Sequence, residues 1–482
     1  MNKHMRKALD HLWGPTGSVI LHIIIVILLV NCLVIRDTGA DAEVEITIRE
    51  MEVIDIKDTP DIIKDIEDID DMDDIERPRL EKEPAPDPSR FAKPEIEEDY
   101  SSLDIKSDFE GPLLLKDLFA GRTASERAEM LDRYSYKWGD VTEPAVLKAL
   151  EWLKKHQIKE GDNAGSWDPG HGGHDKHVAL AGLGLLAFLA HGETTGSEQF
   201  GETVLRSIEF LQRVQQDNGA FCALNQHGVY AHAIATYAIS EAFALTRIPP
   251  LKDNMDRAVE RIIAGQQPGG GWNYHYAAGA RRDTSVASWQ IQALKAAMMS
   301  GSDVPGIDAA LKKAAYDLKS SYIAENQAFS YASGGASQCS TSMGVLCLQL
   351  IGFGRDDVVH CALDNLEDEK CSWSSSEQWA MYKWYYLSQA KFHSGGNGWK
   401  EWNSQFAPEF VNNQKSDGHW EPPVSDKGGH GDSAYGKAFP TALGALTLQV
   451  YYRILPTYKE QAVDKIEIYV DEIEDGVGVR II

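Results

Sequence analysis

From Val141 to about Pro456 the chain repeats one unit: a helix ending near a Gln, a Gly-rich turn closed by an aromatic, and a second helix of small and apolar residues. The clearest copy reads DNMDRAVERIIAGQQPGGGWNYHYAAGARRDTSVASWQIQALKAAMMSG. In it Ala258, Ile262 and Ile263 fall at helical spacing before Gln267 and the Gly269-Gly270-Gly271-Trp272 turn. Asp283 or Thr284 then caps a helix carrying Val286, Trp289, Leu294 and Ala297. Other copies place the turn aromatic at Trp167, Phe221, Phe329 and Trp420, so that with Trp272 the successive intervals are 54, 51, 57 and 91 residues. The last interval holds about two units. A degenerate copy belongs inside it, with a first helix around Asp356 to Leu366 and a second in SSEQWAMYKWYYLSQAKF. Six helix pairs are therefore expected. Each hairpin can bury its apolar stripe only against neighbours, so the pairs stack as an open solenoid or close into a ring, and a count of six favours the ring. The expected fold class is all-α, an (α/α)6 toroid of six helix hairpins over residues 141–458.

The front of the chain is a different material. VILHIIIVILLVNCLVI, Val19 to Ile35, has no formal charge and spans roughly 25 Å as a helix, so residues 18–36 are expected to cross a bilayer as one transmembrane helix. Lys3, Arg6 and Lys7 precede it, and Asp37, Asp41 and Glu43 follow. The positive-inside rule then puts residues 1–17 in the cytoplasm and the toroid outside it, with single-pass attachment to the inner (cytoplasmic) membrane. Ala40-Asp41-Ala42 resembles a signal-peptidase site, but the long apolar run and its distance from that site favour retention. Residues 41–100 carry 23 acidic and 8 basic side chains, a net of −15 out of −26 for the whole chain, with prolines at 60, 78, 84, 86, 88 and 94. Such a composition cannot bury a core, and residues 37–140 are expected to form a disordered acidic linker. No basic face suggests nucleic acid. The tail 459–482 alternates Ile and Val with acids, the pattern of a short hairpin. Of six cysteines, five lie in the toroid region, and Cys361 and Cys371, close in sequence, are the first candidates for a bridge.

The turn chemistry resembles that of the squalene cyclase and protein prenyltransferase repeat superfamily, the α/α-toroids. The residues that carry the likeness are GQQPGGGWNY, NNQKSDGHW and AYGKAFPTALGALTLQVYYRILP. In such a toroid the second helix of each pair lines the inner ring, and the turns aim all the inner N-termini at one mouth. The residues at those positions are mostly polar or aromatic. Unit one offers His171, His174, Asp175 and His177, and unit two His227, Tyr230 and His232. Unit three offers Arg281, Arg282, Asp283 and Trp289; unit four Ser337, Gln338 and Ser340. Units five and six add Ser376, Glu377, Trp379, Tyr382, His430, Asp432, Tyr435 and Lys437. This makeup suits a ligand pocket. Helix N-termini favour an anion, with Arg281, Arg282 and Lys437 to assist, so an anionic lipid or isoprenoid is an expected ligand. His171, His174 and His177 are candidate metal ligands, since the last two stand three apart on a helix.

The catalytic signatures of the resembling families are absent from residues 141–458. A DxDD string occurs only in the acidic tract, at Asp68-Ile69-Asp70-Asp71 and Asp71-Met72-Asp73-Asp74, where water would surround it. No Asp-x-Cys zinc motif and no GCGEQ thioester motif occurs. If the toroid is an enzyme, Asp283 and Glu377 are the candidate acids, with the aromatics placed to stabilise a cation. No cofactor is implied. Ser18 and His22 stand four apart on one face of the span, and an ionisable group there is a functional candidate. That arrangement is similar to the N-terminal span of the energy transducer TonB, whose Ser and His meet the ExbB–ExbD complex. Three functions follow as expectations: a membrane-tethered module binding an anionic or partly apolar ligand or a peptide, a cyclase-like enzyme with a non-standard acid, and a TonB-like coupling component.

Overall fold

The computed structural model describes residues 122–453, except 278, 280–281, 333–334, 378, 424–431 and 433–434, and two paired strands, 468–473 and 476–481. The expected span, with Ser18 and His22, and nearly all of the acidic tract lie outside these residues. No helix among the described residues is long and apolar enough to cross a membrane.

One helix, α1 (Ala124–Tyr134), stands ahead of the repeats. It falls within residues 37–140, where a linker is expected: Thr123 caps it, accepting from the Glu126 N–H and donating to the Glu126 carboxylate. Six hairpins follow: α2 (Gly139–His156) with α3 (His174–Ala190), α4 (Gly201–Val214) with α5 (His227–Thr246), and α6 (Pro249–Ala264) with α7 (Thr284–Ser300). Next come α8 (Ile307–Ser320) with α9 (Gln338–Leu350), α10 (Asp357–Asn365) with α11 (Ala380–Ser394), and α12 (Gly396–Asn413) with α13 (Ala438–Leu448). The second helices touch in order, α3 on α5, α5 on α7, α7 on α9, α9 on α11, α11 on α13, and α13 returns to α3. Outside them α12 meets α2. The α/α repeat is thus a closed ring.

Inner and outer helices differ as their positions require. In α3 every residue from Val178 to Ala190 is buried, and α13 is buried along its whole length. The outer α4 is amphipathic: Val204, Ile208, Phe210 and Leu211 face in while Glu202 and Glu209 stay exposed.

The repeated turn is a stitch between neighbouring units. The Gln215 amide donates to Gly219 O (3.1 Å) and to Asn254 O on the next outer helix (2.8 Å). Gln266 does the same to Gly270 O (2.8 Å) and Ala310 O (2.7 Å), and Gln414 to Gly418 O (2.9 Å) and Ala145 O (2.8 Å). In unit three the bridging side chain is therefore Gln266, one residue before the Gln267 expected from sequence. The last stitch joins unit six to α2 and closes the ring. Gly270 has φ +99°, and a Cβ there would lie 2.0 Å from Lys313 O, so only glycine lets the turn sit this close to α8. The turn aromatic locks the hairpin: Trp167, Trp272 and Trp420 donate Nε1–H to Leu153 O (2.7 Å), Ile262 O (2.9 Å) and Phe410 O (2.8 Å) of their own outer helices. Inner-helix glycines make room for the rings, Gly184 for Trp167 and Gly444 for Trp420.

Two short antiparallel pairs complete the description: β1 (Tyr322–Ile323) with β2 (Ala328–Phe329), and β3 (Ile468–Ile473) with β4 (Gly476–Ile481). All five cysteines of the toroid carry free thiols, Cys361 and Cys371 included, so the bridge expected between those two is not formed.

Candidate functional site

Because every turn feeds an inner helix from the same end, six helix N-termini surround one cavity of about 530 Å³. Helix α3 contributes Asp175 and Ala179, α5 His227, Tyr230 and Ile234, and α7 Ser285 and Trp289. Helix α9 contributes Cys339 and Met343, α11 Tyr382, and α13 Phe439. Tyr274, Tyr331, Trp379 and Tyr435 reach in from the turns.

Two features organise the wall. One is a belt of rings: Trp379 lies edge-on to Tyr382 (5.9 Å between centroids), Tyr382 faces Phe439 (6.4 Å), and Phe439 stacks on Tyr435 (5.1 Å). Trp289 donates Nε1–H to the Tyr382 hydroxyl at 2.5 Å. The other is a hydroxyl chain. Ser285 Oγ donates to Asp283 Oδ1 (2.7 Å) and lies 2.5 Å from the Tyr230 hydroxyl. Tyr230 donates to Tyr274 (3.1 Å), and Tyr274 meets Tyr331 (2.6 Å). Burial pushes the Tyr230 phenol well above the usual tyrosine range and the Cys339 thiol up to about 12, so both stay neutral.

Of the residues expected at the mouth, Asp175, His227, Tyr230, Trp289, Ser337, Ser340, Trp379, Tyr382 and Tyr435 line the cavity. Others among the described residues stand elsewhere, each for a local reason. Arg282 turns outward to the outer helix α8, its Nε donating to both oxygens of Asp317 (2.9 and 3.0 Å). Lys437 is exposed, 3.7 Å from Glu421. His174 is exposed on the first turn of α3, and His171 is exposed in the turn before it. The His177 ring is engaged by Ser166 (3.0 Å) and Asn163 (3.3 Å). The three histidines are not brought together as a metal site, and among the described residues no group of three His, Cys, Asp or Glu side chains is. His232 is wholly buried beneath Phe221 and Tyr276, where burial pushes its pKa down to about 3. Arg281 lies outside the described residues.

The two candidate acids are likewise not on the wall. Asp283 is the cap of α7, its Oδ1 accepting from the N–H groups of Ser285 and Val286 (both 3.1 Å), and it reaches the cavity only through Ser285. Glu377 is exposed and paired with Lys383 at 2.7 Å. Asp432, expected to bind ligand, is fully buried and caps α11 from the neighbouring unit, accepting from Met381 N–H (2.8 Å) and Tyr382 N–H (3.2 Å). Burial raises its carboxyl to about 8, against those two N–H bonds, which act to lower it.

Sequence reasoning missed Tyr274 and Tyr331. Both stand two residues after a turn aromatic, Trp272 and Phe329, and that fixed offset is the signal that could have found them. Among the lining residues described, none is Lys or Arg. Among the described residues Lys176 is close by, its Nζ 4.8 Å from the centroid of Tyr435.

No family model and no curated protein matches the chain. Among solved structures it is similar to the GH76A alpha-1,6-mannanase of Salegentibacter sp. HEL1_6, at 13% identity and TM-score 0.49 over 66% of this chain and 100% of that one. It is also similar to the type II terpene cyclase MstE of Scytonema, at 12% identity and TM-score 0.43 over 66% of this chain and 100% of that one. A D-mannose isomerase is similar at 11% identity and TM-score 0.49 over 67% of this chain and 99% of that one. Likeness at this level carries no inference about activity. The ring is defined by the chain's own helix contacts.

Proposed function

We propose that the toroid is a membrane-tethered ligand-binding module whose ligand enters at the N-terminal ends of the inner helices. The observation that carries this reading is the cavity itself: about 530 Å³, walled by residues of all six inner helices and their turns, with many aromatic rings and a few convergent hydroxyls. The ligand is a partly apolar small molecule or the end of a peptide. An anionic ligand has less support than the sequence suggested, because Arg282 and Lys437 are turned away. The tether rests on the apolar run 19–35, and the charges flanking it support a toroid on the outer side of the inner membrane. Ser18 and His22 would then meet an ExbB/ExbD-like complex, and His22→Ala should reduce co-purification with it. Undiminished co-purification would make both residues parts of a plain anchor.

Native mass spectrometry of the detergent-purified full chain, mixed with an envelope extract, tests the binding reading. The wild type should retain a small molecule, and Ile234→Trp, which fills the cavity, should lose it; equal retention by both proteins would refute the proposal. A second reading, a cyclase-like enzyme, has one observation in its favour: Asp432, whose carboxyl burial raises to about 8, caps α11 directly behind Tyr382 of the cavity wall. Turnover of polyprenyl substrates that disappears in Asp432→Asn would support it, and no turnover across such a panel would remove it.

A further inference from the structure

We propose that the ligand carries an organic ammonium, free or as a headgroup, held against the ring belt Trp379–Tyr382–Phe439–Tyr435 with Asp175 as counter-charge. The inference rests on the binding-module reading and names the chemistry of its ligand. Charge comes first. Asp175 lines the cavity, where no Lys or Arg is among the described lining residues; Lys176, next to it in sequence, interacts with it electrostatically from outside that lining. Six helix N-termini would by themselves favour an anion. At three of them, however, side chains already accept the first N–H groups: Asp283 those of Ser285 and Val286, Ser337 that of Ser340, and Asp432 those of Met381 and Tyr382. An incoming anion would meet occupied donors and a carboxylate.

Geometry points the same way. All four belt rings line the cavity with neighbouring centroids 5.1 to 6.4 Å apart, so an alkylated nitrogen over the exposed face of one ring lies beside a second. The chain itself supplies an example, since the Lys176 ammonium rests 4.8 Å from the Tyr435 centroid at the edge of this belt. A partly desolvated cation over several rings gains far more than a neutral group of the same shape.

The test is isothermal titration of the detergent-solubilised full chain with choline, its neutral isostere 3,3-dimethylbutanol and the anionic 3,3-dimethylbutyrate. Choline should bind about tenfold or more tightly than the neutral isostere, with the anion weakest. Asp175→Asn should narrow the gap between choline and the neutral isostere, and Trp379→Ala should weaken choline several-fold. Tighter binding of dihexanoylphosphatidylcholine than of choline would assign the nitrogen to a lipid headgroup, and the reverse order to a free amine; both support the proposal. If the neutral or anionic isostere binds as well as choline, the ammonium is overturned while the cavity remains a ligand site. If none of the three binds and Ile234→Trp changes nothing, both readings fail.

Discussion

The two ends of the ring are built from the same six inner helices yet handle charge in opposite ways. At the C-terminal end Arg122 donates to Leu189 O, the last turn of α3, and forks onto Glu241 at 2.8 and 3.0 Å, wholly buried. Arg127 donates to His191 O (2.6 Å), just past the same helix. Arg453 lies buried with them, donating to Tyr385 (2.8 Å) and Tyr237 (3.3 Å). At the N-terminal end the groups that cap or begin the inner helices include the carboxyls of Asp175, Asp283 and Asp432, the last two capping, while Lys176 and Lys383 stand in the first turns of α3 and α11. The helix dipole explains the division: C-terminal carbonyls draw guanidinium groups and N-terminal N–H groups draw carboxylates. One end is thereby packed shut by cross-links, and the other is left open and lined with rings. The comparison teaches that a ring of parallel inner helices sorts its own charges before any ligand arrives.

The largest effect should come from breaking the closed end. Arg122→Ala leaves Glu241 buried without its fork and should cost about 3–5 kcal/mol in denaturant unfolding. Choline titration of whatever remains folded should be unchanged, if the two ends are as independent as their separate contacts indicate. Next comes the open end. Gly270→Ala forces a side chain into a left-handed turn against Lys313 O and should cost about 2–3 kcal/mol. Unlike the first variant it should also weaken ligand binding, because the same turn positions Tyr274.

The third effect is one of pH, read as a slope rather than as a single loss. The Asp432 carboxyl rises from 3.8, its ordinary value, to about 8 on folding, so between those limits the folded state binds more protons than the unfolded one. Stability from this group should fall as pH rises through that window. Asp432→Asn should flatten the slope seen in melting temperature between pH 5 and pH 8, windows being about those values. An unchanged slope would place the pH dependence elsewhere.

Sequence made the ring legible because its turn is chemically demanding. A positive-φ glycine against a neighbour's carbonyl, a Gln that spans two units and an aromatic that bonds its own helix all leave fixed residues at fixed offsets. Unit five shows the limit: α10 is only nine residues and lacks the Gln-Gly stitch, and its place was inferred from spacing alone. The site was legible in most of its aromatics and in Asp175, His227, Ser337 and Ser340. Trp289, Tyr382 and Tyr435 point inward because large rings fill the ring's axis. Other charged residues did not follow position, since each found a nearer partner: Arg282 took Asp317, Lys437 stayed near Glu421, and Glu377 took Lys383. Such pairings join residues distant in sequence or on opposite faces of a turn, and no one-dimensional pattern records them.

The most direct measurement is a crystal of the protein soaked with bromocholine, with the bromine located by its anomalous signal. The account predicts a peak inside the cavity, with the nitrogen among Trp379, Tyr382, Phe439 and Tyr435 and near Asp175. A peak only outside the ring, or at the Arg122–Glu241 end, would contradict it.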